Sequence, residues 1–208
     1  NHFQKDKFKV VVTSGGTMEM IDSVRMISNT SSGKQGRALG MELLSRGYSV
    51  TYVHANNIKN IPHAKNISFT DSKSLKNILQ EELSDSTYLF MTAAVSDFIP
   101  DYKDTKLDRT EGSLNLLLSP NEDIVKEVVI NFPNLTTVAF SAQVEDNLNF
   151  EKIKDKGVNY LVINNISKNK IGSDYNQVSI INQTDLLYTS EKLKKEEIAS
   201  LIIDNTMN

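Results

Sequence analysis

The sequence contains no cysteine among its 208 residues. Disulfides, zinc sites built from thiolates and a thiol nucleophile are therefore excluded. Histidine is scarce as well: the chain has only His2, His54 and His63, and none of them has a partner at the spacing of metal ligands. The sequence gives no reason to expect a metal site built on histidine.

Long apolar runs are also absent. No stretch approaches the roughly 20 apolar residues that a membrane-spanning helix needs, and the opening NHFQKDKFK lacks the apolar core of a signal peptide. A net charge of -3 argues against a surface for nucleic acid or anionic membrane. We therefore expect a cytoplasmic protein that has neither nucleic acid nor membrane as a partner.

What the chain does have is an alternation of short β-branched runs and helical stretches. The runs predicted as strands are KVVVTSG, SVTYVHA, NISFT, TYLFMTAAV, TTVAFSA and YLVIN. This alternation predicts a single α/β domain over residues 1–208, with a mostly parallel sheet and helices on both faces. The later stretch QVSIINQTDLLYT predicts an antiparallel hairpin at the edge of that sheet.

Two of the predicted helices carry recognisable end signals. In KQGRALGMELLSRGY, Gly47 is predicted to be the C-cap. In SPNEDIVKEVVINF, Ser119 is predicted to be the N-cap, Pro120 the first helical residue and Glu122 the return partner of a capping box. The stretch SEKLKKEEIASLIIDN predicts a final amphipathic helix.

Several polar segments follow predicted strands, where ligands bind in open parallel sheets. The two glycines of TSGGT suit either an anion nest or a tight turn with no ligand. Asp97, in AAVSD, suits magnesium, a ribose hydroxyl or the capping of a turn. The helix start in PNEDI offers free N–H groups to a triphosphate. Lys152 and Lys156 share a helix face, which is either a solvated charged surface or part of a site.

Two other segments imitate known motifs without satisfying them. SSGKQG is not a Walker loop, because Gln35 follows the lysine and no glycine stands five residues before Gly33. Tyr102 and Lys106 match the Y-x-x-x-K of short-chain dehydrogenases, but nearby Pro100 and the lack of an apolar face argue against a helix there. The dinucleotide fingerprint G-x-G-x-x-G is missing as well.

The long segment TSGGTMEMIDSVRMISNTSSGKQG closely resembles the opening motif of the phosphopantothenate–cysteine ligase family, also called phosphopantothenoylcysteine synthetases. The likeness continues, in the same order, through AAVSDF, KLDR, NEDIV, AFSAQ and LVINNIS. This resemblance implies a Rossmann-like fold, a homodimer and a reaction of coenzyme A biosynthesis. CTP or ATP, with Mg²⁺, would activate 4'-phosphopantothenate as an acyl-nucleotidyl anhydride, which L-cysteine then attacks.

The resemblance also implies roles for individual residues. Asn29 and Lys106 would be catalytic, and Lys106 would lie on a flap of about residues 100–112 that closes over a site shared with a partner subunit. Substrate binding would involve Gly15, Gly16, Thr17, Arg25, Ser28, Ser31, Ser32, Gly33 and Lys34. Nucleotide binding would involve Ala93, Asp97, Glu122, Asp123, Ile124, Val125, Phe140, Lys152 and Lys156, with Asp97 also a magnesium ligand through the nucleotide.

The chain departs from the family pattern at four places. The flap motif is usually K-x-K-K, whereas here Asp108 replaces a lysine and Arg109 keeps the charge. Gln143 stands where glutamate is common, Asn165 where aspartate is frequent, and Glu122 where proline is common. These differences bear on flap charge and on the choice between CTP and ATP.

Many bacterial members are fused to a flavin-dependent decarboxylase with a catalytic cysteine. Because this chain has no cysteine, we expect the ligase half alone, without flavin. Two alternatives stay open from the sequence: a non-catalytic nucleotide-binding or regulatory domain, and an NAD(P)-dependent reductase on the same fold.

Overall fold

The computed structural model describes residues 8–108, 112–144, 147–167 and 172–207. The strands in these ranges are β1 (Lys9–Ser14), β2 (Met18–Met20), β3 (Met26–Ser28), β4 (Ser49–Ala55), β5 (Lys65–Phe69), β6 (Tyr88–Met91), β7 (Phe98–Pro100), β8 (Leu118–Pro120), β9 (Thr136–Gln143), β10 (Tyr160–Asn165), β11 (Tyr175–Asn176), β12 (Val178–Ile181), β13 (Leu186–Thr189) and β14 (Leu193–Lys194). The helices are α1 (Lys34–Ser45), α2 (Ser72–Glu82), α3 (Ile124–Asn131), α4 (Phe150–Lys156) and α5 (Lys195–Thr206).

The main sheet has the order β5-β4-β1-β6-β9-β10-β12-β13. Its first six strands are mutually parallel, whereas β12 and β13 run antiparallel as a hairpin at the edge. The six parallel strands follow the doubly wound order 3-2-1-4-5-6. The prediction of a Rossmann-like, mostly parallel sheet with an antiparallel edge hairpin is confirmed. The order reverses between β1 and β6, and ligands bind at such a crevice.

The alternation of side chains along β1 supplies a core on each face of the sheet. Val10 and Val12 point to the face covered by α1 and α5, and Val11 points to the opposite face, covered by α2 and α3. All three valines are fully buried. Since burying one such side chain contributes about 1.5–3 kcal/mol, the β-branched run that predicted the strand also anchors both helical layers.

The predicted start of α3 is wrong by four residues. Ser119 and Pro120 lie in β8, which pairs with β7, and the N-cap is Asp123, whose carboxylate accepts the Lys126 N–H at 3.2 Å. Ser119 and Asp123 can each cap a helix, but the pairing of β8 with β7 holds Ser119 in extended backbone. Glu122 makes no capping box either, because its carboxylate bonds Lys76 at 2.6 Å.

Two other helix ends differ slightly from expectation. The cap of α1 is Arg46, and Gly47 follows it with a left-handed φ of 86°. The last helix starts at Lys195 rather than at residue 190, because β14 pairs with β11 before it. As expected, no helix joins Tyr102 to Lys106. Across the described ranges, none of the helices combines the length and apolarity needed to cross a bilayer.

Candidate active site

A cleft of about 650 Å³ opens beyond the carboxyl ends of the central strands. Its walls come from the loop and first turn of α1, the segment after β6, the start of α3, the end of β9 and the side chains of α4. Fourteen of the residues predicted for the site line it: Asn29, Ser31, Ser32, Gly33, Lys34, Ala93, Asp97, Glu122, Asp123, Ile124, Val125, Phe140, Lys152 and Lys156. Segments far apart in sequence are thus brought to one place.

The glycine pair after β1 lies beneath the cleft rather than on its wall. A Cβ on Gly16 would come within 2.9 Å of the Asn29 carbonyl oxygen, and one on Gly15 within 2.7 Å of the Ala55 Cβ. Gly15 also has a φ of 93°, which favours glycine. These contacts make the pair a close-packing element under the Asn29 loop. Substrate binding by Gly15, Gly16 and Thr17 stays a prediction.

Two side chains tie this loop to the strands below it. The Asn29 side-chain N–H donates to the Ala94 carbonyl at 2.9 Å, and the Ser28 hydroxyl donates to the Thr17 carbonyl at 2.9 Å. Thr17 in turn is fully buried and accepts the Ser96 N–H at 3.0 Å through its hydroxyl. Asn29 is therefore held at the cleft with its amide oriented by the end of the β6 segment.

Helix α1 begins at the cleft with its first N–H groups uncapped. Its N-cap is Gly33, with a φ of 67°, and no side chain caps the helix or places an acid in its first turn. Gly36 allows the close approach, since a Cβ there would lie 2.3 Å from the Thr92 Oγ1 and 2.8 Å from the Ser14 Oγ. Free N–H groups and the positive end of a helix suit an anionic ligand.

Lysines line the opposite wall, where α3 and α4 meet. Lys152 is partly buried and donates to the Ser141 hydroxyl at 2.8 Å, while Lys156 pairs with the Asp123 carboxylate at 2.8 Å. Burial lowers the pKa of Lys152, and the charge of Lys156 lowers it further. For Asp123, burial raises the pKa but the bond from Lys156 and the Lys126 N–H outweigh it, so the net shift is downward.

One departure from the family pattern lies in the same place. The Gln143 side-chain amide donates to the Ser141 hydroxyl at 3.2 Å, so it shares the acceptor of Lys152. A neutral amide there leaves Lys152 without a carboxylate at hydrogen-bonding distance among the described residues.

Asp97 lines the cleft, but it is not part of a ready-made metal cage. Within the ranges described above, no three His, Asp or Glu side chains come together as metal ligands. Asp97 is held through its backbone, because its carbonyl accepts the Asn121 N–H at 2.8 Å. Magnesium binding through Asp97 and a nucleotide stays a prediction.

Lys106 and Arg25 do not line the cleft. Lys106 is exposed on the flap segment, and Arg25 bonds the Asp22 carboxylate and the Leu107 carbonyl, the latter at 3.1 Å. Asp22 is fully buried. Burial raises its pKa, but the N–H groups of Val24, Leu107 and Arg25 and the Arg25 side chain outweigh burial and bring the pKa to about 2. Arg109, part of the predicted flap motif, lies outside the described residues.

The structure also adds residues that sequence reasoning missed. Lys195, at the start of α5, lines the cleft near Lys34, and burial lowers its pKa, helped by the Lys34 charge. Lys34 donates to the Gly172 carbonyl at 2.8 Å and pairs with Asp174 at 2.6 Å. No local signal marks Lys195, because it reaches the site only when α5 packs on α1. Asp22 has no local signal either, because β2 and β3, the strands on either side of it, are not among the predicted strands.

Residues 5–208 match the family model described as the DNA/pantothenate metabolism flavoprotein C-terminal domain. The chain belongs to this family. It is 30% identical over 212 residues to the coenzyme A biosynthesis bifunctional protein CoaBC of Methanocaldococcus jannaschii, covering 98% of this chain and 51% of that protein. The CoaBC of Borreliella burgdorferi is 31% identical, over 96% of this chain and 53% of that protein.

A relative from an unknown prokaryote bears a different name, cysteine/cysteine sulfinic acid decarboxylase; it is 30% identical over 94% of this chain and 56% of its own length. The chain thus spans about half the length of these relatives. Among solved structures, the DNA/pantothenate metabolism flavoprotein from Streptococcus pneumoniae has a TM-score of 0.84 and 26% identity, covering 95% of this chain and 97% of that one.

Proposed function

We propose that this chain is a phosphopantothenate–cysteine ligase of coenzyme A biosynthesis, and that residues 1–208 form one ligase domain. The observation that carries the proposal is the assembly of fourteen predicted site residues, from distant segments, around one cleft with an uncapped helix start and several lysines. Membership of the pantothenate metabolism family supports the same reaction class.

In the first step, the carboxylate of 4'-phosphopantothenate attacks the α-phosphate of a nucleoside triphosphate, and pyrophosphate leaves. The amine of L-cysteine then attacks the acyl carbon, and the nucleoside monophosphate leaves as the amide forms. Lys152 and Lys156 suit the nucleotide phosphates, because cations stabilise phosphate charge, and the start of α3 is assigned to the nucleotide as well. CTP is the favoured nucleotide and ATP the alternative.

Asn29 is assigned to the acyl group, at which a neutral donor can stabilise the developing oxyanion. Arg25, Ser28 and the loop of residues 31–34 are assigned to 4'-phosphopantothenate. Lys106 is assigned to neutralise phosphate as the anhydride forms. Magnesium fits this scheme as an ion held mainly by substrate phosphates, with Asp97 as its protein ligand. No step proposed here calls for flavin.

Self-association as a homodimer is part of the proposal. The hairpin β2–β3 and the strand pair β7–β8 carry exposed apolar side chains, and β2 lies against β7. Val24, Met26, Phe98 and Leu118 are all at least 40% exposed. Such a patch favours a protein partner. A strictly monomeric mass by light scattering at working concentration would contradict the homodimer. A cytoplasmic location, without nucleic acid or membrane as a partner, remains our expectation.

The test is a reconstituted assay. The chain is mixed with 4'-phosphopantothenate, L-cysteine, magnesium and either CTP or ATP, and both pyrophosphate and product are measured. We expect pyrophosphate that requires 4'-phosphopantothenate, and a larger yield with CTP. Its absence with both nucleotides would refute the ligase function and favour a non-catalytic nucleotide-binding domain. Release of CO₂ from cysteine, or oxidation of NAD(P)H, would point to the other enzyme classes.

A further inference from the structure

The segment that carries Lys106 is tied to the loop after β2, and the tie is made at Leu107. The Leu107 N–H donates to Asp22 Oδ2 at 3.1 Å, and its carbonyl accepts from Arg25 Nη1 at 3.1 Å. The same Arg25 nitrogen bonds the Asp22 carboxylate. One ion pair therefore satisfies both backbone polar groups of the residue next to Lys106.

Asp22 is itself fixed in place. It is 0% exposed, and its Oδ1 accepts the N–H of Val24 at 2.8 Å and that of Arg25 at 2.7 Å. The backbone adds a second tie, because the Lys103 N–H donates to the Ile21 carbonyl at 2.9 Å. A buried carboxylate with this many donors cannot shift without leaving charge unpaired, which is costly. The base of the flap is thus anchored at two points.

The Lys106 side chain contrasts with its backbone surroundings. It is exposed, and across the described ranges no acceptor or carboxylate bonds its ammonium group. The cation is available to meet a phosphate, while the backbone that carries it is held by its neighbour. A free ammonium group on an anchored backbone can reach the same position in every catalytic cycle.

We propose that Asp22 is a positioning residue for Lys106: with Arg25 it forms a latch on Leu107 that fixes the region the Lys106 ammonium can reach. The proposal rests on the ligase function above, in which Lys106 neutralises phosphate charge. Because the latch orders the base of the flap when the protein folds, the entropy lost in ordering it does not add to the activation free energy of the reaction.

The latch itself is tested by amide hydrogen exchange, which needs no activity. In the wild type without ligands, the Leu107 amide should be protected, and Asp22→Asn should remove most of that protection. Asp104→Asn is the matched control, because it makes the same charge change at an exposed position of the same segment. Equal exchange in Asp22→Asn and wild type would overturn the latch. If Asp22→Asn does not fold, Arg25→Gln decides by the same measurement. It removes both the ion pair to Asp22 and the bond to the Leu107 carbonyl, so protection of the Leu107 amide should fall, and unchanged exchange would overturn the latch.

The positioning role is tested by a double-mutant cycle on pyrophosphate release. Asp22→Asn should lower kcat by about tenfold to a hundredfold with little change in the KM for nucleotide, whereas Asp104→Asn should change neither. If Asp22 acts through Lys106, combining Asp22→Asn with Lys106→Gln should match Lys106→Gln alone within about twofold. Multiplying effects would overturn the positioning role. A wild type that releases no pyrophosphate refutes the ligase function instead, and exchange still decides the latch.

Discussion

Replacing Lys152 by Gln should raise the KM for the nucleotide more than the same change at Lys156. The two lysines lie one turn apart on α4 and both line the cleft. Lys156 already has a carboxylate partner, Asp123 at 2.8 Å, whereas Lys152 donates, among the residues that the structure describes, only to the neutral Ser141 hydroxyl. A phosphate would therefore be the first direct counter-charge that Lys152 meets.

The expected size follows from these partners. A hydrogen bond to a charged group contributes about 1.5–3 kcal/mol, which corresponds to about a 10- to 150-fold change in KM for Lys152→Gln. Lys156 must exchange one partner for another, so its net gain is at most about 1 kcal/mol, or about fivefold. Because burial lowers the pKa of Lys152 from 10.5, its charge is present at low pH and is lost at a lower pH than in an ordinary lysine. Nucleotide affinity should weaken accordingly as the pH rises.

The assay is the nucleotide KM of pyrophosphate release, supported by calorimetric binding of the nucleotide to each variant. Lys154→Gln is the control, because Lys154 belongs to the same helix but is exposed and does not line the cleft. Equal constants for the Lys152 and Lys154 variants would refute the reasoning and return Lys152 to a solvated surface role. A larger effect at Lys156 than at Lys152 would mean that the Asp123 pair opens to receive the phosphate.

Three further predictions concern the two catalytic residues, the packing of α1 and the acid dependence of stability. Lys106→Gln should slow formation of the acyl-nucleotide so strongly that the intermediate does not accumulate, whereas Asn29→Asp should let it accumulate, because a carboxylate repels the developing oxyanion. Mass spectrometry of acid-quenched mixtures distinguishes the two outcomes, and the reverse pattern would exchange the two roles. Gly36→Ala should lower the free energy of unfolding by at least about 1 kcal/mol relative to Gly40→Ala, because its Cβ would meet the short side chains of Thr92 and Ser14, whereas that of Gly40 would meet the far end of the Ile61 side chain. Urea denaturation measures this difference, and equal values would contradict it. The pKa of Asp22 is lowered from 3.8 to about 2, so its contribution to stability is complete above about pH 4 and is lost as the pH falls toward 2. Asp22→Asn should therefore flatten the dependence of the melting temperature on pH over that interval, and an unchanged slope would contradict this prediction.

The sheet could be predicted because its signal is local. Val10, Val11 and Val12 form one unbroken apolar run, which is typical of a strand buried on both faces, and that is where β1 lies. The start of α3 could not be predicted, because Ser119 and Asp123 both suit an N-cap. The choice between them depends on the pairing of β8 with a strand some twenty residues earlier.

The candidate site was predictable in a different way. Asn29, Ala93 and Phe140 have no local property that marks a site, and they were assigned through the resemblance alone. Gly15 and Gly16 do have a local signal, but that signal is ambiguous. The same spacing suits glycines that bind an anion and glycines that allow a neighbouring loop to pack closely. Lys195 depends on contacts across some 160 residues, which no window of sequence contains.

The packing of α5 against α1 has a consequence for how the cleft comes into being. The cleft wall runs from Asn29 to Lys195, so it needs contacts between the first helix and the last one described. Contacts of such high sequence separation form late, because the closure entropy of a long loop must be overcome first. During synthesis, the side of α1 that packs against α5 stays exposed until Ile198 and Ile202 have left the ribosome. The ability to bind a ligand in the cleft should therefore appear abruptly once α5 has packed on α1. Fragments that end before α5 should leave apolar surface exposed and should aggregate unless a chaperone binds them.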